Sequence, residues 1–240
     1  MRRVAMAVAL CIMTGAGPIQ AQRRPYREPN LAPPVAFVGG GLQVGRAVGE
    51  FANNVDVGIG FGGSFLYTPT PDGVLGLRVS GMFLIYGSQT NRYPLLPLIT
   101  VDVTTTNSIV GLTVGPQLMF GRGGVRAYAN GGVGFSYFAT TSEVRGSNGN
   151  SPFASSTNYD DFTFASEGGG GLLVRISRTV SLDIGARYLN NGRVTYVTKD
   201  GIDVTVDPPI ISPIDSEANL VMYHLGVMVG LRRPPPEPPR

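Results

Sequence analysis

Few residues of this 240-residue chain could do chemistry. His224 is the single histidine and Cys11 the single cysteine, so imidazole or thiol chemistry would have to run through one residue of each kind. A histidine serving as base in acyl transfer needs a hydroxyl nucleophile within reach and an acid to orient it. One arrangement places a serine two residues after the histidine; here that position is Gly226, and no orienting acid is signalled nearby. His224 therefore reads as a polar side chain within the fold. Asp160 and Asp161 are adjacent acids that could share a proton in hydrolysis, but with no Asp-His pair to accompany them they read as a solvated loop.

Cation and phosphate sites have as little support. The run DGIDVTVD, Asp200 to Asp207, lacks calcium-loop spacing. GIGFGG at Gly58 to Gly63 and GGGG at Gly168 to Gly171 are rich enough in glycine to cradle a phosphate, but such a loop must open a helix, and both lie within period-two segments. No catalytic, metal or cofactor-binding residue is expected.

The elements behind these residues alternate. In VSLDIGARY, Val180 to Tyr188, an aliphatic face (Val180, Leu182, Ile184, Ala186, Tyr188) opposes a face carrying Asp183 and Arg187. Eight such segments are read between turn signals: Val35 to Arg46, Val55 to Thr68, Leu75 to Tyr86, Ile109 to Gly121, Val125 to Phe138, Phe162 to Ile176, Val180 to Tyr188 and Leu220 to Leu231. Most reach or exceed the roughly 9 to 11 residues of a tilted membrane-crossing strand. Pro116 interrupts one of them and predicts a bulge.

The ends read differently. Residues 1–21 combine two arginines, a short apolar run and small residues before Ala21, the pattern of a secretory signal peptide. With Cys11 in that leader, the remaining chain is expected to be free of cysteine, disulfides and thiolate sites. Segments 22–34 and 233–240 are Pro-rich, the first also Arg-rich, and predict periplasmic tails around a domain at 35–232. Of 19 basic residues, eight lie near the termini, leaving 11 bases against 14 acids between them. A single lysine and no basic stripe argue against nucleic-acid binding.

Connection lengths carry the topology. Those after the second, fourth and sixth strands are hairpin-sized, whereas Gly87 to Ser108, Ala139 to Asp161 and Leu189 to Asn219 are long and polar, with nine acids against four bases. Alternating short and long connections define an all-β, eight-stranded antiparallel up-and-down transmembrane β-barrel with one plain and one elaborated rim. Taking the apolar parity as lipid-facing predicts two interfacial aromatic girdles: Phe37, Phe65, Tyr67 and Phe120 at the short-turn rim, and Phe135, Tyr137, Phe162, Phe164, Tyr188 and Tyr223 at the other. The opposite parity predicts an interior polar network of Arg78, Arg126, Glu167, Arg175, Asp183, Arg187 and His224, because buried charges need partners.

With its leader, eight strands, alternating connections, glycine-rich inward parity and closing strand LVMYHLGVMVGL, the stretch from Val35 to Leu231 resembles the eight-stranded outer-membrane β-barrel family of the OmpA transmembrane domain, OmpX and opacity-protein type. The resemblance implies location in the cell outer membrane, contact with outer-membrane lipid and lipopolysaccharide, and insertion by the outer-membrane assembly machinery. That machinery commonly recognises a last strand ending in an aromatic residue; here Leu231 stands near the end. The expected role is a non-enzymatic, monomeric scaffold displaying acidic extracellular loops. The alternatives are an adhesin or ligand-binding surface protein acting through those loops, a narrow passive conduit for small solutes, and a lipid A acyl-modifying barrel enzyme.

Overall fold

The computed structural model describes residues 34–70, 73–96, 99–121, 123–146, 154–198, 202–203 and 210–231. The leader, most of the segment expected at 22–34 and the tail at 233–240 lie outside the described residues.

Eight strands close on themselves: β1 (Ala36–Ala47), β2 (Val57–Tyr67), β3 (Leu75–Leu96), β4 (Ile99–Phe120), β5 (Val125–Gly146), β6 (Ala154–Arg175), β7 (Val180–Asn191) and β12 (Leu220–Leu231). Each pairs antiparallel with its sequence neighbour in the barrel, and β12 pairs with β1 to shut it. Between β7 and β12 lie four short strands: β8 (Arg193–Tyr196) pairs with β11 (Ile214–Glu217), and β9 (Ile202–Asp203) with β10 (Ile210–Ile211). The connection after β1 carries a single 3-10 turn, Gly49–Asn53.

Alternation sorts side chains cleanly across the wall. Leu42, Ile59, Phe61, Leu77, Leu112, Val114, Leu172, Ile184, Leu225 and Val227 point outward and are exposed. So large an apolar surface does not face water in a stable monomer; it is a lipid-facing belt. No helix among the described residues is long and apolar enough to cross a membrane, so the strands do it.

The long connections are largely strand. Most of Gly87 to Ser108 and much of Ala139 to Asp161, read from the sequence as loops, continue the ladders of β3 with β4 and of β5 with β6, giving four strands of 22 residues each. β4 also pairs with β5 as far as Val101 and Gly146, so β3 to β6 rise from the barrel as one four-stranded sheet. Ser, Thr and Val favour strands, but these segments lack the apolar face by which a strand is recognised. Nor does a bulge mark Pro116. Val114 pairs with Val133 and Gln117 with Asn130 in unbroken register, and the ladder to β5 simply omits the two pairs between them. The irregularities of the β3–β4 pair fall instead after Ile85 and after Pro94.

Three layers fill the interior. At the long-loop end Phe51 is fully buried, with Tyr196, Phe138, Leu84, Leu189 and Met222 in the same apolar cluster. At the short-turn end Leu66, Met119, Tyr128, Leu173 and Met228 form a second. Charged and polar groups occupy the middle.

Candidate functional site

The central layer is built by side chains crossing the barrel. From β3, the Arg78 guanidinium donates Nη1 to Gln117 Oε1 at 2.9 Å, Nε to Ser80 Oγ at 3.1 Å and Nη2 to Ser64 Oγ at 3.3 Å. It faces Asp183 on β7 at 3.7 Å and lies 5.5 Å from the Tyr128 ring centre. A second pair joins Arg187 to Glu167 at 3.3 Å, with Arg187 also donating to Gln43 Oε1 at 3.0 Å. All four charged side chains are at most 8 % exposed, and two cations face two anions. Burial without such pairing would be costly for each group.

Interior glycines make this crossing possible. A Cβ at Gly171 would sit 2.7 Å from the Tyr128 hydroxyl oxygen, and one at Gly185 2.6 Å from Cε1 of His224. At Gly62 it would run into the Gln43 amide.

His224 belongs to this layer. The Tyr128 hydroxyl donates to Asp183 Oδ1 at 2.8 Å, and its oxygen lies 2.9 Å from Nε2 of His224, itself 3.2 Å from the same carboxylate oxygen. With Tyr128 giving its proton to Asp183, Nε2 must be the protonated imidazole nitrogen. Histidine, acid and hydroxyl do meet, but the neighbouring void is about 20 Å³, room for a water and not for an acyl chain.

Arg78, Glu167, Asp183, Arg187 and His224 thus come together, whereas Arg126 and Arg175 do not join them. Both lie near strand ends on the inward parity, and both line the short-turn mouth, where Arg126 Nη2 donates to the Gly73 carbonyl at 2.9 Å. Parity identified their face and missed their height. Tyr128, Gln43 and Gln117 complete the network, and sequence reading did not single out Tyr128 or Gln43 as members; Tyr128 shares the parity of Arg126, which was the available signal.

Among the aromatics, Phe65, Tyr67 and Phe120 are exposed on the outer wall near the short turns. Toward the other rim Phe135 stacks on Phe162 at 4.9 Å, and Phe164, Tyr188 and Tyr223 are exposed beside the aliphatic belt. Tyr137 shares the outward parity of Phe135 and is half-buried. Phe37 is a correction: it shares parity with Gln43 and Ala47, which face inward, and packs on the lower apolar cluster. The glycine run that follows it left its face ambiguous in the sequence.

Asp160 and Asp161 are neighbours within β6. Asp161 Oδ2 accepts the backbone N–H of Thr195 at 2.7 Å, fastening β8 to β6, so this carboxylate is structural. At the top Arg193 contacts Asp215 at 2.6 Å and Glu50 at 3.8 Å, joining the first and last connections. Among the described residues no group of acids, histidines or cysteines could hold a metal ion.

A closed eight-stranded barrel with an apolar outer belt and a charge-paired interior is an integral β-barrel of the outer-membrane type. No protein-family model matches the chain, and no curated protein matches it. Solved structures are similar in fold. Ail, the attachment invasion locus protein of Yersinia pestis, solved with the heparin analogue sucrose octasulfate, is 13% identical, with 82% of this chain and 97% of that one covered at a TM-score of 0.46. Neisserial surface protein A is 14% identical over 82% and 97% at 0.45, and the outer membrane protein OprG from Pseudomonas aeruginosa 10% identical over 85% and 99% at 0.49. The likeness is one of chain path only.

Proposed function

We propose that this barrel is a non-enzymatic scaffold of the outer membrane whose work is to hold a polar sheet above the lipid. The supporting observation is that β3, β4, β5 and β6 each continue as one strand from the lipid-facing wall into that sheet. At about 3.3 Å per residue, the ten residues from Ile99 to Ser108 reach roughly 30 Å along the strand beyond the belt. Rigid display of this kind costs less ordering on binding than a mobile loop would.

Capture of an extracellular partner is the specific form of this reading. The outward face of the sheet carries Ser88, Thr106, Thr141 and Thr157 in one register row and Thr90, Thr104, Glu143 and Ser155 in the next. A passive conduit has less support, since both apolar clusters and the Arg78 to Asp183 layer stand across the axis. The test replaces residues 88–105 and 141–156 with short turns. The barrel should keep its heat-dependent mobility in SDS while cells lose surface attachment; retention of every surface phenotype would reject display. Planar-bilayer recordings of the intact chain should show no stable open steps.

A further inference from the structure

The short-turn mouth holds a cavity of about 360 Å³ that the central network does not use. Arg126 on β5, Arg175 at the end of β6 and Arg178 in the following turn line one flank. Phe37, Met119 and Leu173 supply apolar surface from the lower cluster. Arg175 and Arg178 stand exposed at the rim, whereas Arg126 is half-buried. Arg126 and Arg175 occupy the inward parity of their strands, shared with Tyr128 and Leu173, and the bond from Arg126 to the Gly73 carbonyl holds its guanidinium over the mouth. Thr70, also on the lining, has a hydroxyl oxygen that is buried with no hydrogen-bond partner among the described residues.

We propose that this mouth is a binding site for a small amphipathic anion. Its phosphate or carboxylate head would lie against the arginines, whose planar donor forks suit both groups, with the Thr70 hydroxyl as a further donor. Its hydrocarbon body would lie on Phe37, Met119 and Leu173. The cavity falls within the usual range for small-molecule sites, roughly 300 to 1,000 Å³. This assignment does not depend on the display function, since it concerns the opposite end of the barrel.

The test uses the full chain in phosphatidylcholine nanodiscs with ¹³C-methyl methionine, observing Met119 at the cavity and Met82 in the upper cluster as internal control. Hexyl phosphate should move the Met119 resonance saturably and leave Met82 in place. Inorganic phosphate and hexanol should each bind at least tenfold more weakly. The double variant Arg175→Gln/Arg178→Gln, checked for retained heat-dependent mobility, should lose at least tenfold in hexyl phosphate affinity. Doping the discs with phosphatidic acid separates the sources: movement of Met119 without added ligand assigns the head to a leaflet lipid, and movement only on adding hexyl phosphate assigns it to a free anion. No Met119 shift in either arm, or equal shifts with hexyltrimethylammonium or hexanol, would overturn the proposal on the unmodified protein.

Discussion

Phe51 and Tyr196 meet edge to face, with ring centres 5.0 Å apart and planes at 88°. One comes from the first connection and the other from the last, so this contact ties the loops together over the barrel. Tyr86 and Phe138 add edge contacts to Phe51 at 5.7 and 6.3 Å, with planes at 63° and 84°. Phe51→Ala should therefore cost about 3 to 5 kcal/mol, the usual range for emptying a buried phenylalanine site. Urea titration of the folded barrel in detergent would show it; an unchanged midpoint would mean the loops are held without the plug.

Glu167→Gln should cost a similar amount, roughly 3 to 5 kcal/mol, because it leaves Arg187 buried beside a neutral amide. The double change Glu167→Gln/Arg187→Met removes both charges and should recover much of the loss. If the two costs simply add, the pair is not coupled, and the 3.3 Å contact carries little energy.

The two glycine faces should respond differently to the same methyl group. Gly60→Ala drives its Cβ into the backbone carbonyl of Phe83, which cannot give way without breaking the β2–β3 ladder, so refolding yield should collapse. Gly168 faces outward with nothing within 4 Å, and Gly168→Ala should stay within about 0.5 kcal/mol of the parent. Equal yields for the two variants would show that the inward face accommodates the added methyl group.

Above the membrane, Arg92 donates Nε and Nη2 to the two oxygens of Asp102 at 2.7 and 3.2 Å. These hydrogen bonds hold the Asp102 carboxyl below its ordinary value of 3.8. A carboxylate with a lowered folded-state pKa contributes stability that is complete above its unfolded value and lost as pH falls through the folded one. Amide protection in the upper β3–β4 hairpin, corrected for the intrinsic pH dependence of exchange, should thus be steady above about pH 4 and fall in stronger acid. Asp102→Asn should abolish that acid step, and persistence of the step in the variant would assign it to another group.

Much of this architecture is legible in the residues. The aliphatic parity of Val180 to Tyr188 identifies the outer wall, and the opposite parity places Asp183 and Arg187 inside. Legibility fails where one face is not apolar. Thr104 to Thr106 and Thr140 to Ser142 pair as regular ladders but show no hydrophobic period, so strand and loop look alike. Height along the axis is equally hidden: Arg78 finds Asp183 across the barrel from a strand that is not its ladder neighbour, and neither spacing nor parity encodes that meeting. Phe37 shows the remaining weakness, since glycines at 39, 40 and 41 leave no side-chain contrast to assign its face.

The barrel is unequal around its circumference. In ladder order β3, β4, β5 and β6 are contiguous, each 22 residues long, while β7, β12, β1 and β2 form the other half at 11 to 12. The molecule therefore carries a parapet along one side only, and in a crowded membrane it has a front and a back. A neighbour approaching from the low side meets the wall, the connection after β1 and the short strands between β7 and β12; one approaching from the high side meets a hydroxyl-rich screen before it reaches the rim.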